Sequence, residues 1–164
     1  MTELATLAAS QREVLGRFAS GIVVVTAIGR SGPIGFTCQS FASLSLEPAL
    51  VSFSPSRASS TWPRIREAES FCINVLADGH QHLSNAFART GTDKFANVPW
   101  TPAPSGAPIL DGVLAWADCS LWAEYDGGDH TIVAARVHSL EVGEDGHPLL
   151  FYRGKYGLPQ LPRR

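Results

Sequence analysis

The sequence predicts a mainly β domain in which successive antiparallel strands form a small closed or nearly closed barrel with a few short peripheral helices. Two observations support this fold class. Short apolar runs rich in β-branched residues recur along the chain, bounded by Gly, Pro, Ser or Asp. Two long segments, residues 113–125 and 131–142, flank an Asp-Gly-Gly-Asp turn sequence at residues 126–129, which is typical of a hairpin. The length of 164 residues fits a single domain over residues 1–164.

A short helix is predicted near the start of the domain. Ser10 and the glutamate three residues later have the spacing of a capping box, which predicts that a helix begins there, and Gly21 is expected to end it. Residues 1–9 are expected to be flexible. A second short helix is predicted to begin with Thr61 as its cap, because Pro63 suits the first turn.

Apolar runs bounded by turn residues predict the strands. Residues 96–112 carry Pro and Gly without periodicity, so they predict a long loop. In residues 113–125 apolar positions alternate with polar ones, and Trp116 and Trp122 fall on the polar face. The other strands are predicted at residues 22–28 and 34–37, which form a hairpin, and at 49–53, 71–76, 131–142 and 149–152, before a tail at 158–164.

Charge and composition exclude several classes of partner. The formal net charge is −2, the pI is about 6.2 and no run of like charges occurs, so neither nucleic acid nor an anionic membrane surface is an expected partner. Charged residues make up 17% of the chain, fewer than the roughly 25% usual in soluble domains. We therefore predict a homodimer, with the aromatic face of Trp116 and Trp122 against the partner.

The cysteines predict neither a disulfide nor a metal site. Cys38, Cys72 and Cys119 are far apart, and no second Cys or His stands near them at metal-binding spacing. A reducing, cytoplasmic location fits this usage. The longest apolar run, residues 22–28, is far shorter than the roughly 20 residues that span a membrane, and the first ten residues lack the basic cluster of a signal peptide.

Three common nucleotide-binding or catalytic motifs are absent from the sequence. It contains no G-x-G-x-x-G after a predicted strand, no G-x-x-x-x-G-K followed by Ser or Thr, and no G-x-S-x-G. A Rossmann site, a P-loop and a nucleophile elbow are therefore excluded, and any nucleotide must be held in another way.

Four segments have residues suited to ligand binding, and each also has an ordinary structural explanation. Residues 54–61 carry hydroxyls and one Arg before a predicted helix, which suits a phosphate, but a Ser-rich loop that caps the helix also explains them. Residues 35–41 carry small and amide side chains at a strand end, which suit the edge of a flat polar ring, but a strand end followed by a turn also explains them. His130 is not required by the hairpin turn that it follows. Residues 152–157 fit either a disordered exit or a lid.

Taken in order, seven segments resemble the flavin reductase family of FMN-binding split barrels, the small reductase components of two-component flavin monooxygenases. The resemblance extends over about residues 15–158 and implies an antiparallel, Greek-key-like split barrel. The Cys-Gln-Ser-Phe motif at residues 38–41 is most similar to reductases that serve aromatic-ring hydroxylation in steroid breakdown. The seven segments are residues 15–21, 35–41 with 45–51, 59–62, 71–76, 93–95, 127–132 and 149–154.

The resemblance implies a bound flavin, FMN or FAD, and NADH or NADPH as the reductant. The isoalloxazine would lie along the end of one strand, and the phosphate would lie among residues 57–61 with Lys94 as a further charge. His130 would contact the nicotinamide, with Tyr152 and Arg153 near the same pocket. The other flavin-binding residues that the resemblance implies are Gly35, Phe36, Thr37, Cys38, Gln39, Ser40, Ser54, Arg57, Ser59, Ser60 and Thr61, of which Thr37 and Ser40 would be polar contacts.

The resemblance also implies the reaction and a protein partner. NAD(P)H would reduce the flavin by hydride transfer, and the reduced flavin would leave for a separate monooxygenase. The protein would align the two rings and stabilise the anionic reduced flavin through N–H donors, so no acid–base pair is required. Three alternatives stay open: a flavin storage or sensing protein on the same barrel, an oxidase of the pyridoxamine-phosphate type, and a structural subunit of an oligomer.

Overall fold

The computed structural model of the chain describes residues 3–159. Its helices are α1 (Glu3–Leu15), α2 (Trp62–Ala68) and α3 (Gln81–Ala88), and one 3-10 turn (Asp78–His80) precedes α3. Its strands are β1 (Ser20–Gly21), β2 (Val23–Gly29), β3 (Gly32–Cys38), β4 (Ala42–Leu46), β5 (Ala49–Phe53), β6 (Ser70–Val75), β7 (Trp100–Pro102), β8 (Pro108–Leu110), β9 (Ala115–Gly127), β10 (His130–Val142), β11 (Leu150–Tyr152) and β12 (Lys155–Tyr156).

Seven antiparallel strands form the central sheet, in the order β3-β2-β6-β9-β10-β5-β4. The sheet curls into a barrel. Phe36 on β3 and Phe53 on β5 lie near opposite ends of the strand order, and the short distance of 6.3 Å between their ring centroids shows that the two ends approach each other. Within residues 3–159 no backbone ladder joins β3 to β4, so the barrel stays split there. The predicted mainly β, nearly closed barrel is confirmed.

The second strand is buried on both of its faces. One face lies in the barrel interior and the other packs against a second layer of apolar residues outside the barrel. A strand with no solvent-exposed face has no reason to alternate, which explains the continuous apolar run in the sequence. The interior-facing residues are Val23, Val25 and Ala27, and Val24 faces outward, as does Ile22 just before the strand.

Helix α2 contributes two side chains, Trp62 and Ile65, to the barrel interior. Trp62 packs edge to face on Phe53, with ring centroids 5.4 Å apart. Thr61 occupies the N-cap position as predicted, but its side chain makes no capping bond. The cap is the Ser59 hydroxyl, which accepts hydrogen bonds from the backbone N–H groups of Thr61 and Trp62, both at 3.2 Å.

A buried amide fixes the outer layer to the sheet. Asn74 on β6 is fully buried, and its Nδ2 lies 3.2 Å from the Val24 carbonyl and 3.3 Å from the Pro108 carbonyl. Its Oδ1 accepts a hydrogen bond of 2.9 Å from the Leu110 N–H. Asn74 therefore helps to attach the hairpin of β7 and β8, together with the Thr26 hydroxyl, which also donates to the Pro108 carbonyl, and no buried side-chain nitrogen or oxygen among the described residues lacks a partner.

Replacement of Asn74 by Ala is expected to lower the free energy of unfolding by about 3 kcal/mol, because it removes the side-chain acceptor of the Leu110 N–H and the amide donor to the Val24 and Pro108 carbonyls. Asn74→Asp keeps the side-chain volume but puts an acceptor where the Val24 and Pro108 carbonyls need a donor, so it should cost at least as much. Urea unfolding followed by tryptophan fluorescence measures both variants. A loss below about 1 kcal/mol in both would show that the network is not needed.

The N-terminal prediction needs a correction. Helix α1 begins at Glu3, so Ser10 lies inside it and caps nothing, and residues 3–9, expected to be flexible, are helical. Ala and Leu dominate residues 4–9, and their high helix propensity extends the helix past the predicted start. Residues 1–2 lie outside the described part of the chain.

Three further predictions differ from the structure. The predicted loop at residues 96–112 contains the β7–β8 hairpin. Residues 152–157 are not a disordered exit, because β11 and β12 form a hairpin that also pairs with β1; the other alternative, a lid, stays a prediction. Trp116 packs against the outer layer, while Trp122 stays 49% exposed. Of the predicted tail, residues 160–164 lie outside the described range.

Candidate active site

A cleft of about 640 Å³ opens where β3 and β5 end, beside α3 and the start of β10. It combines the segments that the sequence analysis selected separately, and most of the predicted site residues line it. Those residues are Phe36, Thr37, Cys38, Gln39, Ser40, Ser54, Ser59, Ser60, Thr61, Lys94 and His130.

The end of β3 forms one wall of the cleft. The Thr37 hydroxyl donates a hydrogen bond of 2.6 Å to the Ser84 carbonyl, so its oxygen keeps lone pairs for a ligand. The exposed Gln39 amide has its nitrogen free of protein partners among residues 3–159, since only its Oε1 is bonded, to the Ser20 hydroxyl at 3.4 Å. Ser40 has a structural bond, because its Oγ accepts from the Ser54 N–H at 2.8 Å and joins the two edges of the split barrel.

The loop after β5 presents two hydroxyls to the cleft. Whereas Ser59 caps α2, neither the Ser60 nor the Thr61 hydroxyl has a hydrogen-bond partner within the described part of the chain. Thr61 is 8% exposed, yet no buried side-chain oxygen among residues 3–159 is unsatisfied, so its hydroxyl must reach the cleft. These two hydroxyls are available to a ligand.

Positive charge is concentrated beside these hydroxyls. A polar pocket of about 350 Å³ adjoins the cleft, shares Ser60, Thr61 and Lys94 with it, and adds Arg64 and one carboxylate, Asp93. Lys94 Nζ donates to the Gly35 and Phe87 carbonyls at 2.9 and 3.1 Å. Burial and, secondarily, the charge of Arg64 lower the Lys94 pKa. No carboxylate forms an ion pair with either cation within residues 3–159.

His130 enters the cleft from the β9–β10 hairpin. A two-residue turn with Gly128 at φ 76° places it directly opposite Gly127 on β9. His130 Nδ1 lies 2.7 Å from the Asp129 carboxylate. The hydrogen bond from His130, and then its charge, lower the Asp129 pKa. Because Nδ1 is engaged, Nε2 is the ring nitrogen that remains for a ligand.

Four predicted site residues do not line the cleft. Gly35 is covered by α3, and a Cβ there would lie 3.0 Å from the Phe87 ring and 2.8 Å from the Val25 carbonyl, so close packing explains this glycine. The Arg57 guanidinium is paired with Asp126. Tyr152 and Arg153 line a separate cavity at the C-terminal hairpin, with Arg153 in its turn at φ 51°.

The contribution of α3 to the cleft was not predicted, whereas the C-terminal hairpin contains the segment 152–157, for which a lid was one of two predicted alternatives. Ser84 and Phe87 line the cleft from α3, and Tyr156 reaches it from β12. The Tyr156 hydroxyl lies 2.9 Å from both Ser84 Oγ and Asn85 Oδ1, which fixes the ring against the helix. Ser84 and Phe87 carried no sequence signal, whereas Tyr156 belongs to the basic, aromatic and glycine-containing segment that the sequence singled out.

The residues of the cleft fit a flavin phosphate with a flat, polar ring system. Two hydroxyls without protein partners lie beside two cations without carboxylate partners, which is the donor set that a phosphate requires. The β3 wall offers a hydroxyl oxygen and an amide for a ring edge. In contrast, no group of three or more metal-ligating side chains occurs among residues 3–159. No helix in that range is long and apolar enough to cross a membrane.

Comparisons with known proteins agree with this fit. The reductase subunit HsaB of a flavin-dependent monooxygenase from Rhodococcus jostii is 49% identical over 145 residues, which are 88% of this chain and 74% of that protein. The crystal structure of nitrilotriacetate monooxygenase component B from Mycobacterium thermoresistibile superposes with a TM-score of 0.90 at 41% identity, over 98% of this chain and 94% of that one.

A third relative was solved with ligands. The NADH:FAD oxidoreductase SgcE6 of Streptomyces globisporus, in complex with NAD and FAD fragments, has a TM-score of 0.86 and 32% identity, over 96% of this chain and 95% of that one. The family described as flavin reductase like domain matches residues 15–158, nearly the range over which the motifs resembled it. The chain therefore belongs to the flavin reductase like domain family.

Proposed function

We propose that this chain is an NAD(P)H-dependent flavin reductase that supplies reduced flavin to a separate monooxygenase. The observation that carries the proposal is the cleft itself, because the unpaired Ser60 and Thr61 hydroxyls and the exposed His130 line one cleft in a member of this family. The relatives named above, a monooxygenase reductase subunit and an NADH:FAD oxidoreductase, support the same reaction and the same kind of partner. Aromatic-ring hydroxylation by that partner stays a prediction from the motif at residues 38–41.

In this proposal the chain binds and orients both ligands. When bound, flavin supplies the acceptor for the hydride of NADH or NADPH. The Ser60 and Thr61 hydroxyls and the Lys94 ammonium hold the phosphate of the flavin, and Arg64 takes the place first assigned to Arg57. Thr37, Gln39 and nearby backbone groups contact the ring edge. His130 Nε2 holds the nicotinamide end of the reductant, and the role of the protein is alignment rather than proton transfer.

The phosphate site is tested by replacing Ser60 and Thr61 together with Ala. We expect flavin affinity to fall by the equivalent of about 1–3 kcal/mol, because two hydrogen bonds to the phosphate are lost. Hydride transfer at saturating flavin should change less. Ser43→Ala, on β4 away from the cleft, is the matched control. Unchanged flavin affinity in the double variant would place the phosphate elsewhere.

We also propose that the protein is a homodimer. Exposed apolar side chains lie on β4, β9 and β10, which belong to one half of the central sheet: Leu46 is 91% exposed, Val142 82% and Leu140 63%. Exposure of large apolar side chains to water is energetically unfavourable, and it is typical of a protein–protein interface. Trp122 on β9 is exposed as well, at 49%, whereas Trp116 packs against the outer layer.

Sedimentation at micromolar concentration is expected to give a dimer, and Leu46→Asp should shift it toward the monomer, because a carboxylate would be buried in the interface. A wild-type monomer under these conditions would contradict the dimer. A cytoplasmic location is part of the same proposal, and it is supported by Cys38, Cys72 and Cys119, which are all free and buried.

A further inference from the structure

The tip of the β9–β10 hairpin is bonded to the loop after β5 by its backbone. The Arg57 N–H donates to the Asp129 carbonyl at 2.9 Å, and the Thr131 N–H donates to the Pro55 carbonyl at 3.0 Å. Ser56 and His130 form an isolated antiparallel bridge between them. The segment that carries the proposed phosphate ligands is therefore attached to the segment that carries His130.

The Arg57 side chain strengthens this attachment from both strands of the hairpin. Its guanidinium forms an ion pair with Asp126 on β9, and its Nε lies 3.4 Å from the His130 carbonyl on β10. The same Asp126 oxygen accepts from the Gly128 N–H at 3.2 Å, which ties the pair to the turn. A planar guanidinium presents its N–H donors from separate nitrogens in a fixed fork, which suits two acceptors on different strands, whereas an ammonium has all its donors on one atom.

An exposed ion pair usually contributes little to stability, and this one is exposed, with side chains 52% and 82% accessible. Its position nevertheless matters, because the turn residues Gly128 and Asp129 are exposed, and the loop after β5 is their tertiary support. A small shift of the hairpin would move the His130 ring relative to the hydroxyls of that loop.

We propose that Arg57 is a positioning residue that holds the His130 hairpin in register with the phosphate loop, rather than a phosphate ligand. The inference rests on the proposed function, since it assigns the two segments to the two ligands of a flavin reductase. Arg57 sets where the reductant binds relative to the flavin without touching either one. Its loss therefore affects the reductant and spares flavin binding.

The kinetic test compares Arg57→Met, Arg57→Lys and Asp126→Asn with Arg30→Met, which removes a similarly exposed ion pair, Arg30–Glu67, far from the cleft. Arg57→Met should raise KM for NADH about five- to tenfold, with a smaller change in kcat and a flavin Kd within about twofold of the wild type. Asp126→Asn should reproduce this effect, and the double variant should be no worse than either single one. Arg57→Lys should recover part of it, and Arg30→Met should behave as the wild type.

Hydrogen exchange supplies a reading that does not depend on turnover. Peptides covering residues 54–60 and 126–132 should exchange faster in Arg57→Met than in the wild type and in Arg30→Met. Unchanged KM together with unchanged exchange would overturn the inference. A raised flavin Kd with unchanged KM would overturn it in favour of a phosphate ligand. If the wild type oxidised no NADH, the proposed function would fail, while faster exchange would still support the attachment by Arg57.

Discussion

Replacement of Lys94 by Met is expected to raise the flavin Kd by about 10- to 100-fold, the range for loss of a charge-assisted hydrogen bond. The ammonium is half-buried, is held by the Gly35 and Phe87 carbonyls, and forms no ion pair with a carboxylate within residues 3–159. A half-buried cation that is not in an ion pair favours an anionic ligand. Equilibrium titration with FMN and with FAD measures the effect. Lys155→Met, at an exposed lysine outside the cleft, is the matched control.

The same site predicts a pH dependence. Burial, and then Arg64, lower the Lys94 pKa in the free protein, and a bound phosphate raises it again. Flavin affinity is therefore highest at pH values below the Lys94 pKa of the flavin-free protein, and it declines as the pH rises through that pKa. The decline begins at a lower pH than it would for a lysine with an ordinary pKa. Lys94→Arg should remove this decline, because a guanidinium stays protonated. A decline of the same size in Lys94→Arg would assign the titration to another group.

Replacement of His130 by Ala is expected to lower kcat/KM for NADH about ten- to thirtyfold, the equivalent of roughly 1–2 kcal/mol. Asp129 fixes the ring through Nδ1 at 2.7 Å, so Nε2 is held ready for the reductant. Flavin affinity should change little, because the phosphate ligands lie on another segment. Asp129→Asn should give a smaller loss of the same kind, since it keeps a weaker hydrogen bond to the ring.

The flavin Kd, the melting temperature and the NADH kinetics should be measured on the same His130→Ala protein. A lower melting temperature with normal kinetics would assign His130 to the hairpin alone. An intact kcat/KM with normal flavin binding would remove it from the site.

Much of this architecture could be predicted from the sequence, because strands and turns follow local rules. The buried run at residues 22–28, the hairpin turn at 126–129 and the hydroxyl loop at 54–61 are all determined by nearby residues. The family motifs then indicated which strand ends would meet, and the cleft joins those segments.

What the sequence could not predict depends on side-chain direction and on tertiary packing. Arg57 and Arg64 are both basic residues near the hydroxyl loop, and only the fold shows that Arg57 turns to Asp126 while Arg64 reaches the polar pocket. Ser84 enters the site because Gly35 lets α3 pack closely on β3. Such contacts join residues far apart in the chain, and local patterns carry no signal for them.

Binding of flavin and a reduced nicotinamide in one cleft for hydride transfer can be measured as the rate of NADH oxidation by the purified protein. The absorbance of NADH should be followed at increasing FMN, and separately at increasing FAD and with NADPH. We expect little oxidation without added flavin and saturable, flavin-dependent oxidation with it, reduced in His130→Ala and shifted to higher flavin concentration in Lys94→Met. Tight flavin binding with no NADH or NADPH oxidation would contradict the proposed hydride transfer and indicate a flavin-binding protein without reductase activity.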